Sequence, residues 1–326
     1  MHPLWKKTVA VVAAAGFALA GCGAADQPAA SDQTQKPSGK LKVVATFYPM
    51  YEFAQKVAGD YADVTALVPP GVEPHDWEPT PKDIQTIADA DVFVYNGGGL
   101  EGWVEDALGS TKNEKLKVVE TTHGIDLMEG SAEEEADEAH SDGHEHEHDH
   151  EHGLDPHVWL DPALAQKQVQ QIEAALIEAD PAHREAYEKN AAAYIKELEE
   201  LDQAFQQMAS SAKRKEFVVQ HAAFGYLAKQ YGLTQVPISG LSPEEEPSPA
   251  QLIEIVKFAK EHDVKTIFFE TLVSPKVAET VAKEVGAKTA VLNPLEGLTD
   301  EERAQNLDYI SVMKKNLQEL QAALNE

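Results

Sequence analysis

Histidine alternates with acidic residues in one short stretch of the chain. Residues 140–157 read HSDGHEHEHDHEHGLDPH, and six of the 13 histidines lie in its alternating part, 140–152: His140, His144, His146, His148, His150 and His152. Neutral imidazole is the commonest transition-metal ligand in proteins. The tract therefore predicts contact with metal ions, whereas the alternative is a solvated loop without a role. We expect residues 131–152 to be a mobile loop that binds auxiliary metal ions weakly.

Three further histidines stand where a parallel sheet would bring them together. His75 follows a strand-like run and the turn Pro69-Pro70-Gly71, His221 directly follows the run 217–220, and His157 follows the tract. In open parallel sheets the binding crevice lies outside the carboxyl ends of the strands. We therefore predict that the three imidazoles share one site.

Two carboxylates are candidates for a fourth ligand. Glu270 ends the strand-like run 266–269, and Glu296 follows the run 288–292. Three imidazoles and one carboxylate make a complete tetrahedral ligand set for Zn²⁺. The carboxylate outside the ligand set could instead orient one of the histidines.

The N-terminus has the organisation of an exported lipoprotein. Lys6 and Lys7 precede the apolar run 9–20, which is too short to span a bilayer comfortably but fits the hydrophobic region of a secretory signal. The run ends in Leu19-Ala20-Gly21-Cys22, which resembles the lipobox of bacterial lipoproteins; the alternative is a small-residue motif after an ordinary signal. We predict a signal peptide over 1–21, lipidation of Cys22 and a flexible tether over 22–40.

The charge and the cysteine count exclude several classes of partner and fold. Cys22 is the only cysteine, so the chain has no disulfide framework. Removal of residues 1–21 takes away two lysines and no acid, which changes the formal net charge from −29 to −31. Such a field repels nucleic acid and mildly concentrates cations. We expect no nucleic-acid partner.

The chain from Leu41 onward alternates strand-like and helical segments twice. The first set has strands at 42–46, 64–68, 92–95 and 116–119, with helices at 50–58, 81–88 and 103–108. The second set has strands at 217–220, 233–237, 266–269 and 288–292, with helices at 224–231, 249–261, 275–285 and 301–324. This alternation predicts an α/β fold with two lobes, each a mostly parallel sheet flanked by helices.

A glycine-poor helical segment connects the two sets. Asp161-Pro162 begins a helix that we expect to run to about residue 179, and Asp180-Pro181 begins another. The second helix has an apolar stripe spaced by four and three residues: Tyr187, Ala191, Tyr194, Leu198, Leu201, Phe205 and Met208. The stripe predicts a rigid connecting helix over 181–211 between lobes at 41–180 and 212–326. The alternative is a long core helix of one domain.

Several motifs together resemble those of a known family. They are TFYP (46–49), PPGVEPHDWEP (69–79), DPHVWLDP (155–162), HAAF (221–224), SPEEEPSP (242–249) and NPLEG (293–297). In this order they resemble the zinc and manganese substrate-binding lipoproteins of bacterial ABC importers. The resemblance implies two pseudo-symmetric lobes joined by a rigid helix, one metal ion in the cleft, and delivery of that ion to a membrane permease with its ATPase.

The resemblance also implies the ligands and the ion. By position, the family's ligands fall on His75, His157, His221 and Glu296, which leaves Glu270 as a residue outside the ligand set. Zinc members resemble this three-histidine pattern, whereas manganese members have a carboxylate in place of the third histidine. Imidazole suits Zn²⁺ better than Mn²⁺. We expect a monomeric, high-affinity Zn²⁺ receptor, held on the outer face of the cytoplasmic membrane by lipid on Cys22.

An enzyme and a metal-binding protein with a different task are the alternatives to a zinc receptor. An extracellular zinc hydrolase needs an open coordination position and a nearby base, typically arranged on a helix as His-Glu-x-x-His. None of the predicted helices carries this motif, so we expect no enzyme. A manganese or broad divalent-metal receptor, a zinc buffer and a surface adhesin stay open as alternatives.

Overall fold

Four short parallel strands form the sheet of the first lobe. In the computed structural model, which describes residues 39–130 and 153–326, they are β1 (Leu41–Ala45), β2 (Ala62–Ala66), β3 (Val92–Tyr95) and β4 (Lys117–Glu120). Their order is β2-β1-β3-β4, with Val43 of β1 opposite Val64 and Val92. The predicted signal peptide, Cys22, the tether and the six tract histidines lie outside the described residues.

Helices cover both faces of this sheet, which explains its hydrophobic strands. α1 (Tyr48–Ala58) and α4 (Pro162–Ala179) pack on one face, and α2 (Pro81–Ala88) and α3 (Val104–Ser110) lie on the other. Side chains alternate between the two faces along β1, because successive residues of a strand point in opposite directions.

The second lobe repeats the same plan. Its strands are β5 (Glu216–Val219), β6 (Thr234–Pro237), β7 (Thr266–Phe269) and β8 (Lys288–Val291), in the order β6-β5-β7-β8. Its helices are α6 (Gly225–Tyr231), α7 (Pro249–Glu261), α8 (Lys276–Val285), α9 (Asp300–Ala304) and α10 (Tyr309–Ala323). The predicted fold class, two α/β lobes with parallel sheets, is confirmed.

A long helix runs between the lobes. A short 3₁₀ turn, Pro181–His183, leads into α5 (Arg184–Ser211), and all seven residues of the predicted apolar stripe are buried. α5 packs against α1 and α4 in the first lobe and against α6 and α10 in the second. One apolar cluster consequently extends from Leu41 to Leu324 through both lobes. No described helix has the length and apolar character that crossing a membrane requires.

The helix predicted over 301–324 is wrong in one respect, because the structure divides it into α9 and α10. Asn306 adopts a left-handed conformation, with φ of 53°, which stops the first helix. Asp308 then caps the second helix, since its side chain accepts a hydrogen bond from the amide of Ser311 at 2.9 Å. Asparagine and aspartate both favour such local breaks. The helical spacing of apolar residues continues across Asn306 and Asp308, however, and so indicated one helix.

Candidate metal centre

Four side chains meet where the carboxyl ends of the two sheets face each other. His75 lies in the loop after β2, and His157 precedes the 3₁₀ turn Val158–Leu160 that leads into α4. His221 lies two residues after β5, and Glu296 lies in the loop after β8. The structure thus brings together the four residues that the resemblance indicated as ligands.

The four ligand atoms form a small cage. His157 Nε2 lies 3.3 Å from His75 Nε2 and 3.3 Å from His221 Nε2. Glu296 Oε1 lies 3.2, 3.4 and 3.2 Å from Nε2 of His75, His157 and His221. A tetrahedral Zn²⁺ shell with ligands at about 2.0–2.1 Å has edges of about 3.3–3.4 Å. The spacing of these atoms therefore fits one tetrahedral ion.

Two further carboxylates hold the histidine rings from behind. Asp155 Oδ1 lies 2.8 Å from Nδ1 of His157 and also accepts a hydrogen bond from the His157 amide at 3.0 Å. Glu270 Oε1 lies 2.5 Å from Nδ1 of His221. A carboxylate on Nδ1 orients the ring and leaves Nε2 for a metal ion. Glu270 thus lies on the far side of His221 from the cage, whereas Glu296 lies inside it.

Sequence reasoning missed the role of Asp155. Its position two residues before His157 was the available signal, because an aspartate there can reach both the amide and the ring of that histidine. Asp161, four residues after His157, is another aspartate nearby in sequence, but its side chain caps α4 by accepting a hydrogen bond from the amide of Ala163 at 2.8 Å.

Burial and charge set the protonation of the cage. His157, His221 and Glu296 are almost completely buried, and a tenth of the His75 side chain is exposed. Burial alone would lower the pKa of His221, but the charges of Glu270 and Glu296 outweigh it and raise that pKa well above its usual value. Burial raises the pKa of Glu296, but the three histidines outweigh it and hold the pKa well below its ordinary range.

The pKa values of the other two histidines are shifted in opposite directions. For His157, burial acts to lower the pKa, and hydrogen bonds with Asp155 and Glu296 raise it above the ordinary value. For His75, burial dominates over Glu296, and the pKa is lowered. Burial and the charge of Glu296 raise the pKa of neighbouring Glu73 to about 7, although its carboxylate accepts the amide hydrogen of His75.

A strained turn aims Glu296 into the cage. Leu295 is fully buried and has a φ of 58°, a left-handed conformation that costs a non-glycine residue about 1–3 kcal/mol. Asn293 holds the turn, because its Oδ1 accepts the amide hydrogen of Leu295 at 2.7 Å. Glu296 Oε2 is buried and has no hydrogen-bond partner in the described residues.

The arrangement suits capture of a cation. All four donors converge on one point, and the outer carboxylates keep two of the imidazoles in position without contributing a further ligand. Transfer of an ion from water into a buried site is favourable only when such a complete ligand shell replaces its hydration shell. The donor set, three nitrogens and one oxygen, is one that Zn²⁺ accepts readily.

Comparisons with known proteins agree with this geometry. Residues 43–323 match the family described as "ZnuA: Zinc-uptake complex component A periplasmic". The high-affinity zinc uptake system protein ZnuA of Bacillus subtilis is 52% identical over 314 residues, which cover 96% of each chain. The zinc-binding lipoprotein AdcA of Streptococcus pneumoniae is 47% identical over 91% of this chain, which spans only 58% of that longer relative.

A solved structure shows the same architecture. The Zn(II)-bound ZnuA-like domain of Streptococcus pneumoniae AdcA has a TM-score of 0.74 and 44% identity, covering 88% of this chain and 100% of that one. The resemblance indicated by the motifs is thereby confirmed. From the match over residues 43–323 and the identity to these relatives, the chain belongs to the ZnuA family of zinc-uptake components.

Proposed function

We propose that this protein is the extracytoplasmic receptor of a bacterial zinc importer, which captures Zn²⁺ in its cleft and delivers it to an ABC permease. One observation carries the proposal: five of the six distances among three Nε2 atoms and one carboxylate oxygen lie between 3.2 and 3.4 Å. These are the edges of a tetrahedral zinc shell. Membership of a zinc-uptake family supports the same function.

The donor set favours zinc over manganese. Mn²⁺ prefers oxygen ligands, whereas imidazole nitrogen suits Zn²⁺. In this cage His221 supplies a third nitrogen, and Glu296 supplies the single oxygen that faces the three rings. Relatives of the chain carry zinc in their names, and one related domain has been solved with Zn(II) bound. We therefore take Zn²⁺ as the transported ion.

Transport explains the site better than catalysis does. A catalytic zinc centre keeps one position open for water or substrate, but the four residues here complete a tetrahedral shell. The chain belongs to a family whose members are components of zinc-uptake complexes. Zinc is thus the cargo of this protein rather than a cofactor for a reaction.

Zinc binding to designed variants tests the proposal. The mature chain, titrated against a competing chelator, should hold one tightly bound Zn²⁺ and bind Mn²⁺ much more weakly. Glu296→Ala should weaken zinc binding less than loss of a histidine does, because water can occupy the fourth position beside three imidazoles. His123→Ala is the matched control, since this exposed residue lies outside the cage. Equal affinity for the two ions would favour a broad divalent-metal receptor.

The membrane anchor and the partners are a second part of the proposal. Family membership supports a partner permease and ATPase, and the lipobox-like sequence supports lipid on Cys22 of a monomeric receptor. Cys22→Ser removes the predicted lipidation site. Because stable anchoring requires more than one acyl chain, this variant should be released from membranes with its zinc binding unchanged. Retention of this variant in a salt-washed membrane pellet would contradict the assignment.

A further inference from the structure

One buried side chain connects the two ligand loops of opposite lobes. Trp159 lies two residues after His157, and its indole Nε1 donates a hydrogen bond to the carbonyl oxygen of Pro294 at 2.8 Å. Pro294 lies two residues before Glu296. The carbonyl oxygen of Trp159 in turn accepts a hydrogen bond from the hydroxyl of Tyr309 at 2.6 Å. The indole thus spans the gap between a histidine ligand and the carboxylate ligand.

The indole itself has little freedom to move. Its ring lies 5.1 Å from the ring of His157, and the ring of Phe47 packs on it edge-on at 4.9 Å. Trp159 has no exposed surface. Because packed aromatic rings stay in one rotamer, the Nε1–H group is a fixed reference point in the first lobe.

The loop that carries Glu296 is held on its other side by the second lobe. Asn316 of α10 accepts the amide hydrogen of Asn293 at 2.9 Å and donates to its carbonyl oxygen at 2.7 Å. Between Asn293 and Glu296 lies the left-handed turn at Leu295. The indole donates its hydrogen bond to Pro294, in the middle of this turn. It therefore influences the direction in which the side chain of Glu296 points.

We propose that Trp159 is a positioning residue for zinc, which sets the separation of His157 and Glu296 before the ion arrives and acts on affinity through Glu296. This inference rests on the proposed function. Without the indole N–H, the carbonyl of Pro294 is left without that donor, and the turn is free to shift relative to the first lobe. Zinc–carboxylate distances span only about 2.0–2.2 Å, so a small shift replaces the Glu296 oxygen with water.

A double-mutant cycle tests the inference in the full mature chain. Trp159→Phe, Glu296→Ala and the double variant are titrated with Zn²⁺ against a competing chelator. Because outer partners of metal ligands typically contribute about 10–100-fold, Trp159→Phe should lower zinc affinity by that factor. The double variant should bind no more weakly than Glu296→Ala alone, since residues that act as a unit are not additive. Additive losses, or wild-type affinity in Trp159→Phe, would overturn the inference.

A matched control separates positioning from general damage. Trp103 is also buried, but it packs against Phe93 and Trp77 in the apolar cluster on the α2 and α3 face of the first sheet. Trp103→Phe should leave zinc affinity and the visible spectrum of the Co²⁺-substituted protein unchanged. The Co²⁺ spectrum of Trp159→Phe should move towards that of Glu296→Ala, because both lose the same oxygen ligand. A wild-type Co²⁺ spectrum in Trp159→Phe would contradict the inference.

A second variant keeps the test decisive if Trp159→Phe does not fold. Tyr309→Phe removes the hydrogen bond to the Trp159 carbonyl and leaves the indole intact, so a smaller loss of affinity is expected, again non-additive with Glu296→Ala. Additivity here would count against the inference. The outcomes also separate the two proposals: if the wild-type chain binds no zinc tightly, the proposed function fails, and if wild type and Trp159→Phe bind equally tightly, only this inference fails.

Discussion

The loops that carry His75 and His221 both follow the carboxyl end of a strand in sheets with the same order, yet they support their histidines differently. His221 is fully buried, and Glu270 holds its Nδ1. His75 keeps a tenth of its side chain exposed, and the described residues place no carboxylate on its Nδ1. Sheet topology thus decides where a ligand lies, and the outer carboxylate decides how firmly it is held. We therefore expect His221 to act as a fixed ligand and His75 to be the ligand that moves most easily.

The largest expected effect follows from removing the fixed ligand. His221→Ala should lower zinc affinity by more than about 100-fold, because even outer partners of a ligand contribute about 10–100-fold. It also leaves two buried carboxylates, Glu270 and Glu296, without their shared partner. His75→Ala should cause a smaller loss, since water reaches that edge of the cage. Chelator competition measures both, and equal losses would remove the distinction between the two loops.

Removing the outer carboxylate should convert a fixed ligand into a mobile one. We expect Glu270→Ala to lower zinc affinity about 10–100-fold. Glu270→Gln should recover much of this loss, because its amide oxygen still accepts a hydrogen bond from Nδ1 of His221. A zinc-bound crystal structure with a Glu270 oxygen at about 2.0–2.2 Å from the metal would show instead that this residue is a ligand.

Protons compete with zinc for the cage, and the competition has a defined sign. The pKa values of His157 and His221 are raised, so zinc must displace protons from them. Zinc affinity should therefore increase with pH, by about tenfold per unit for each displaced proton. Titrations across about pH 6 to 8 measure this slope. A slope of zero would mean that both histidines are already neutral in the free protein.

The metal-free protein should respond to pH in the opposite sense. A raised histidine pKa contributes stability below the unfolded value, about 6.5, and this contribution is lost as pH rises through the folded pKa. Glu73, with a pKa near 7, has the same sign. The Tm of the zinc-free chain should fall over this window while the increase in Tm on adding zinc grows. The variant His221→Ala should show a weaker fall in zinc-free Tm.

Deletion of residues 131–152 should have the smallest effect on the tight site. The tract joins the described chain where the amide of Gly130 donates to the carbonyl of Gly153 at 2.8 Å, so a short connection can replace it. Calorimetry should show loss of weak zinc binding and retention of one tight ion. If an intact fold lost its high-affinity binding, the tract itself would be the main site.

Much of the fold was predictable from the chain because strands and helices alternate with clear periods. The bounds of β3, β7, α2 and α7 agree with the structure to the residue. The break between α9 and α10 was missed, because an apolar period is insensitive to a single left-handed residue. Domain boundaries and the properties of the tract stay predictions.

The candidate site was predictable as a set of residues but not as an arrangement. Glu270 and Glu296 both follow strands at the same edge of one sheet, so their sequence positions do not distinguish a ligand from an orienting group. The family resemblance indicated Glu296, and the structure gives the geometric reason, since Glu270 faces Nδ1 of His221 and Glu296 faces Nε2. The strained turn at Leu295, which aims Glu296, leaves no signal in composition or periodicity.

The apolar cluster that extends through both lobes bears on how a transporter distinguishes a loaded receptor from an empty one. Swinging the lobes apart would expose side chains such as Phe53 of α1 and Tyr309 of α10, whose rings pack 5.1 Å apart between the lobes, at about 25 cal/mol for each Å² of apolar surface. A large movement of one lobe relative to the other on zinc binding would therefore cost much free energy. We therefore expect the loaded and empty forms to differ in loop positions, and most of all in the loop of His75, which is the one partly exposed residue of the four in the cage.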